Sequence, residues 1–243
     1  NLIEMLTAMG ALIAFDSTAR RIRIDGVRRL RGVRHRVIPD RNEAVSFAMA
    51  GLATRGDLTL RGALPMHLTS FIAVARETGA LVDETAGPGL RFASGAAVRP
   101  IDIATAPHPG FMTDWQQPLA VLLTQAHGAS LLHETVYEDR LGYLKDLGRM
   151  GAEVSVSDEC PEAMACRFSG RTFNHAARIT GPTPLRGAEI AITDIRAGMA
   201  LLIASLVANG ESRIHNIRQI DRGYERVDEK LRALGADIER VAA

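Results

Sequence analysis

Lysine is almost missing from this chain. Lys145 and Lys230 are the only two, against 27 arginines. Two explanations stay open at this level. One is a bias of genomic base composition; the other is recognition of anions, because the guanidinium fork matches carboxylates and phosphates. A surplus of positive charge is missing too. Lys+Arg number 29 and Asp+Glu 28, a net charge of +1, which argues against a nucleic-acid partner. Cysteine is scarce, with only Cys160 and Cys166. There is no second cysteine pair and no His-x3-His nearby, so no metal site is expected and the two read as structural or free thiols. Long apolar runs are lacking: Met199 to Ala208 is too short for a bilayer, so no membrane partner is expected. The chain opens Asn-Leu-Ile-Glu, without a signal-peptide pattern, and a cytoplasmic location is the expectation. What is present suits a folded α/β protein. The chain has 243 residues, 47% hydrophobic, enough for one large domain or two small ones with a sizeable core.

An internal repeat dominates the chain. Three blocks begin with Asp: "DRNEAVSFAMAGLATRGDLTLRG" from Asp40, "DWQQPLAVLLTQAHGASLLHE" from Asp114 and "DIRAGMALLIASLVANGESRIHN" from Asp194. Each reads as an Ala- and Leu-rich helix, a glycine near its end (Gly56, Gly128, Gly210) suited to a left-handed cap, and a short alternating strand. An amphipathic helix ending in Gly-Ala follows. Gly79, Gly151 and Gly235 stand 39, 37 and 41 residues after their Asp. Hairpin strands complete the first two copies, at Gly89 to Ala93 and Met164 to Phe168. Strands at Asp102 and Ala188 lead into the next copy. The unit is therefore β-α-β-α-β-β.

The ends break the pattern. Residues 2–15 read as a helix with its own Gly10-Ala11, and Arg21 to Asp25 as a strand. Nine arginines between Arg20 and Arg41 alternate with apolar residues through a hairpin, as a solvated face would. "GADIERV" supplies one strand to the last copy, which lacks its final one. A polypeptide extending at the N-terminus is the expectation.

Three constellations stand out from the repeat. In "HPGFMTDWQQ", residues 108–117, Asp114 sits at a helix start. It reads either as an N-cap or as a carboxylate placed to accept a proton. "HETVYEDR", residues 133–140, is too polar for buried core, and reads as a solvated loop or part of a site. "TDIRAG" and "IDRGYER" place Asp194/Arg196 and Asp221/Arg222 near helix starts. Arginine there opposes the helix dipole, and either a bound anion or pairing with the neighbouring Asp offsets the cost.

These motifs resemble the UDP-N-acetylglucosamine enolpyruvyl transferases, or 1-carboxyvinyltransferases. The stretches are "VIPDRNEA" (37–44), "ATAPHPGFMTDWQ" (104–116), "ETVYEDR" (134–140), "TDIRAG" (193–198) and "IDRGYERVDEKLRALGADIERV" (220–241). The resemblance covers essentially the whole chain, as the C-terminal part of a family member. It implies an inside-out α/β barrel of repeated β-α-β-α-β-β units. Residues 1–38 would be the tail of an N-terminal domain, and 39–243 the C-terminal domain.

The resemblance also implies transfer of the enolpyruvyl group of phosphoenolpyruvate to the 3-hydroxyl of the sugar in UDP-N-acetylglucosamine, with release of phosphate. This is the first committed step of peptidoglycan precursor synthesis, and it needs no cofactor. Asp114 would bind the sugar hydroxyl and take its proton. Val136, by its backbone, and Tyr137 would touch the nucleotide sugar. Arg140, Arg196 and Arg222 would neutralise phosphoenolpyruvate and the leaving phosphate. Asp40 and Asp194 would support the site, and the upstream domain of the same polypeptide would complete it. The chain departs from the family pattern at Met112, usually Pro, and at Trp115, usually smaller. The family's loop cysteine and N-terminal lysine have no match here, so this segment alone is expected to be inactive. A different acceptor nucleotide, or a non-catalytic nucleotide-sugar-binding paralogue, remains the alternative.

Overall fold

In a computed structural model the structure describes every residue except Ala86, Pro88, Glu162, Ala163, Ala165, Ala242 and Ala243. The chain divides into two compact units, Asn1–Pro39 and Asp40–Ala243. No helix among the described residues is long and apolar enough to cross a membrane.

In the first unit, helix α1 (Leu2–Ala8) precedes a hairpin of β1 (Leu12–Asp16) and β2 (Arg21–Asp25). The expected helix over 2–15 is therefore cut short. Gly10 takes φ +102° and ends it, and Ile13 and Phe15 then pair across the hairpin with Ile24 and Ile22. Side-chain alternation that reads as helix in isolation is claimed by this cross-strand pairing. The arginines from Arg28 to Arg36 lie beyond the hairpin on irregular chain.

The second unit runs α2 (Arg41–Ala53), β3 (Asp57–Arg61), α3 (Thr69–Glu77), β4 (Leu81–Asp83) and β5 (Gly89–Ala93) through its first copy. The second copy runs β6 (Asp102–Ala104), α4 (Gln116–Leu123), β7 (Gly128–His133), α5 (Leu144–Arg149), β8 (Glu153–Ser157) and β9 (Ala176–Gly181). The third runs β10 (Glu189–Ala191), α6 (Ile195–Val207), β11 (Arg213–His215), α7 (Arg218–Asp221) and α8 (Val227–Ala233). Among the described residues only the middle copy forms its whole sheet, in the order β6-β7-β9-β8. There β6 and β7 are parallel across the α4 crossover, and β9 is antiparallel to both β7 and β8.

Two expected strands are absent from their places. The described residues of 164–168 form turns, Ala165 lying outside the described residues, and the hairpin is completed later by β9. Pro161 and Gly170 bracket that excursion, whereas "AARITG" alternates and pairs along its length. The described residues after Gly235 form no strand either, so the third sheet is β10 and β11 alone. The last amphipathic helix is split: Arg226 takes φ +49° between α7 and α8.

The Gly-Ala signature has one structural meaning in every copy. Gly10, Gly79, Gly151 and Gly235 take φ of +102°, +97°, +99° and +101°. In each, the glycine N–H bonds three residues back and the alanine N–H five residues back, as Ala80 does to Ala75 at 3.0 Å. That paired helix ending needs a left-handed residue, which glycine supplies without strain. The other glycines divide. Gly128 and Gly210 have positive φ, but at the first copy Arg55 takes φ +58° in place of Gly56. A Cβ on Gly56 would instead crowd the Gly51 carbonyl at 3.2 Å.

The core lies among α2, α4 and α6, which pack on one another. All eight residues of α4 are buried, as are Val45 to Ala50 of α2 and Ala197 to Ala204 of α6. Helices apolar on every side belong at the centre of a fold. The strand faces carry the contrast: β3 alternates exposed and half-buried residues. The repeat thus sets α2, α4 and α6 at the centre and directs their three N-termini to one place.

Candidate functional site

The N-terminal turns of α2, α4 and α6 meet, and a polar cluster joins them. Asp114 is its hub. Its carboxylate accepts from Arg140 Nη2 at 2.7 Å, from Arg196 Nε at 3.2 Å and from Asn42 Nδ2 at 3.4 Å. Asn42 in turn accepts from Trp115 Nε1 at 2.9 Å. Arg196 donates to the Tyr224 hydroxyl at 3.0 Å, which meets Ser46 Oγ at 2.8 Å. Gln117, with its amide turned to satisfy both neighbours, accepts from Arg140 Nε at 2.8 Å.

The three repeat-equivalent aspartates divide in role. Asp40 caps α2 by accepting from the Asn42 N–H at 2.8 Å. Asp194 caps α6 by accepting from the Arg196 and Ala197 N–H groups at 2.8 and 2.9 Å. Asp114 makes no such cap: it lies inside the turn Thr113–Trp115, whose N-cap is Met112. Its carboxylate is therefore bound by side chains alone, and its side chain stays 30% exposed. Of the two readings open in the sequence, the cap is excluded. Pairing of Arg196 with the adjacent Asp194 is excluded as well, because Arg196 reaches Asp114 instead.

At the centre of the cluster two guanidiniums face one carboxylate. The partial positive ends of α2 and α6 are met by the Asp40 and Asp194 carboxylates. Burial works against the charged form of Arg196, but the Tyr224 phenol and the Asp114 carboxylate outweigh it and hold its pKa above the ordinary value. Tyr224 is pushed up, chiefly by burial, against hydrogen bonds from Ser46 and Arg196. Such a cluster can take an anionic group on its arginines and a hydroxyl at its carboxylate.

The loop after β7 brings Val136, Tyr137 and Arg140 to this cluster. Its anchor is Glu134, fully buried. The Glu134 carboxylate accepts from Thr105 Oγ1 at 2.8 Å, Thr113 Oγ1 at 2.7 Å and the Val136 and Tyr137 N–H groups at 2.7 and 2.9 Å. The expectation that residues 133–140 are too polar for the interior is corrected for His133 and Glu134. Both are buried, while Tyr137, Glu138 and Asp139 are exposed. Since the Val136 N–H is spent on Glu134, a backbone contact from Val136 to a ligand falls to its carbonyl. The Tyr137 ring lies under the Arg140 guanidinium, 4.8 Å from centroid to Cζ.

Arg222 is not brought in. It follows α7 rather than opening a helix, is exposed, and donates to Gln219 at 3.0 Å. Its neighbour Asp221 pairs with Arg240 at 2.8 and 2.9 Å instead. Asn42, Ser46, Tyr224 and Glu134 escaped the sequence reading. Asn42 stands two residues after Asp40, as Arg196 stands two after Asp194, and that equivalence was a usable signal. The departures from the family pattern also resolve. Trp115 is buried and packs edge-on against Phe71 and Phe111, at 5.9 and 5.7 Å between centroids. Met112 packs on the same core.

The model of the family described as EPSP synthase (3-phosphoshikimate 1-carboxyvinyltransferase) matches residues 1–231. The chain belongs to this family. Three curated enolpyruvyl transferase relatives are each named UDP-N-acetylglucosamine 1-carboxyvinyltransferase. That of Protochlamydia amoebophila is 44% identical over 240 residues, covering 99% of this chain and 51% of its own length. That of Magnetococcus marinus is 42% identical over 241 residues, covering 99% and 54%. That of Chlamydia trachomatis serovar D is 41% identical over 242 residues, covering 98% and 54%. The chain spans about half the length of the curated relatives it matches. Among solved structures, the enolpyruvyl transferase NikO from Streptomyces tendae matches with a TM-score of 0.80 at 29% identity, covering 98% of this chain and 53% of its own. An EPSP synthase from Acinetobacter baumannii matches at 0.68 and 21% identity, covering 99% and 55%, and shows the fold alone. The fold is thus the α/β enolpyruvyl transferase fold, and the resemblance read from the motifs holds.

Proposed function

We propose that the polypeptide carrying this chain is a UDP-N-acetylglucosamine 1-carboxyvinyltransferase, acting in the cytoplasm at the entry to peptidoglycan synthesis. The Asp114–Arg140–Arg196 cluster carries this reading. Asp114 accepts the sugar 3-hydroxyl and takes its proton as the oxygen bonds to C2 of phosphoenolpyruvate; C3 takes a proton from an acid on the rest of the polypeptide and gives one up as phosphate leaves, which restores the double bond. Arg140 and Arg196 hold the negative charge of phosphoenolpyruvate and of the phosphate that leaves. The Val136 carbonyl and the Tyr137 face border the nucleotide. Asp40 and Asp194 support the site by fixing the starts of α2 and α6. Arg222 acts only on closure with the rest of the polypeptide.

Residues 1–38 are the tail of an N-terminal domain, and 39–243 the C-terminal domain. The central place of α2, α4 and α6 favours an inside-out barrel, closed when upstream strands complete the first and third copies. The loop nucleophile and lysine come from the N-terminal domain, so the segment alone is inactive.

A different acceptor nucleotide was suggested by Met112 and Trp115. Met112 packs on the core, and the Trp115 indole supports Asn42 beside Asp114; the relatives' shared name favours UDP-N-acetylglucosamine. An acceptor panel tests the reading. The natural polypeptide should release phosphate from phosphoenolpyruvate with UDP-N-acetylglucosamine, and at least about 100-fold more slowly with 3-phosphoshikimate, whose binding would leave buried polar groups unpaired. Equal release with both would remove the nucleotide sugar as the substrate.

A further inference from the structure

Away from the cluster, three soft or imidazole ligands gather at the end of β7, and a fourth, Cys160, stands beside one of them. One ring nitrogen each of His133 and His175 and the Cys166 Sγ all lie within 4.8 Å of one another. Cys160 Sγ lies 3.6 Å from His175 Nε2. Both cysteines are free and half-buried. His133 is fully buried, and neither of its ring nitrogens has a hydrogen-bond partner. Burying a polar group without a partner costs free energy, so this imidazole calls for one.

We propose that His133, Cys160, Cys166 and His175 form a site for a tetrahedral divalent cation of the zinc type. The donor set is the nitrogen and sulfur mixture that such a cation selects. With Zn–S near 2.3 Å and Zn–N near 2.0–2.1 Å, a tetrahedral edge from thiolate to imidazole nitrogen is about 3.6 Å. The Cys160–His175 separation has that length. The ligand tautomer is also set. His175 Nδ1 lies 3.0 Å from the Phe173 carbonyl, where it donates its proton and leaves Nε2 as the lone pair facing Cys160. A carbonyl behind a ligating histidine is the usual outer support of such sites.

The surroundings are apolar on one side. The Phe168 and Phe173 rings stand 5.8 and 5.9 Å from the His175 ring. The pairing also explains why the site is invisible in sequence. His133 ends β7 and His175 precedes β9, and the antiparallel register that sets His133 opposite Ala176 brings them together. The cysteines come from the turn-rich excursion between β8 and β9. A bound ion would pin that excursion to the sheet. It would also stiffen the functional loop, because the Glu134 N–H bonds the His175 carbonyl at 2.8 Å.

The test uses the natural polypeptide, reduced and metal-free, loaded with Co²⁺ alone and dialysed. One equivalent should remain, with the strong visible bands of tetrahedral cobalt and a thiolate-to-cobalt charge-transfer band. Cys166→Ser should weaken retention beyond the about 10–100-fold loss typical of outer-shell partners. Cys160→Ser, on the half-buried excursion, should remove part of the charge-transfer band, with circular dichroism reporting that each variant stays folded. No retained cobalt, a pale octahedral spectrum, unchanged retention in folded Cys166→Ser, or a Cys160–Cys166 disulfide in protein kept under reductant would each overturn the proposal.

Discussion

Asp114→Asn in the natural polypeptide should lower turnover by at least about 100-fold, the loss expected for a proton acceptor. The substitution keeps shape and one acceptor oxygen, so only one of Arg140 and Arg196, which bond different carboxylate oxygens at 2.7 and 3.2 Å, keeps its acceptor, and the melting curve reports the cost of the other. What goes is the negative charge and the basic oxygen. The phosphate-release rate should fall with little change in KM for phosphoenolpyruvate, whose charge is met by the two arginines. A melting curve taken alongside separates loss of chemistry from loss of fold. Near-normal turnover in a folded variant would remove Asp114 from the proton-transfer role.

Glu134→Leu should cost the largest stability in the chain's functional half, at least about 3 kcal/mol. The estimate follows from leaving buried donors without an acceptor, at about 1–3 kcal/mol each. Four donors converge on this carboxylate, two hydroxyls and two backbone N–H groups. Leucine matches the volume roughly and offers no oxygen. Glu134→Gln keeps one acceptor and should cost less, although its amide N–H₂ meets donors. Urea denaturation reads both. In either variant the loop that carries Val136, Tyr137 and Arg140 loses its anchor, so KM for the nucleotide sugar should rise as well. A stable Glu134→Leu variant would show the loop to be held by other means.

The repeat and much of the site were legible because they rest on local signals. Gly-Ala at the end of each amphipathic helix marks one backbone ending, and the copies are spaced closely enough to count. Asp114, Arg140 and Arg196 stood out because polar groups at helix starts need a reason. What escaped rests on partners far away in sequence. Glu134 looked solvated because the two hydroxyls that bury it, of Thr105 and Thr113, lie 29 and 21 residues away, although its other two donors are local. Asp221 looked like a helix start, yet it closes α7 and pairs with Arg240. The strand sought at 164–168 belongs to 176–181, since register with β7 and β8, not local hydrophobicity, selects it. Leu12 to Phe15 likewise reads as helix until its hairpin partner is known.

The central claim is that the three helix starts form the place where the acceptor hydroxyl meets its base. A crystal structure of the natural polypeptide with bound UDP-N-acetylglucosamine tests it most directly. The account predicts the sugar 3-hydroxyl within about 2.6–3.2 Å of an Asp114 carboxylate oxygen, hydrogen-bond reach for a proton acceptor. It also predicts Arg140 or Arg196 turned from Asp114 toward the reacting anion. A sugar seated elsewhere, with the Asp114–Arg140–Arg196 contacts unchanged, would contradict it.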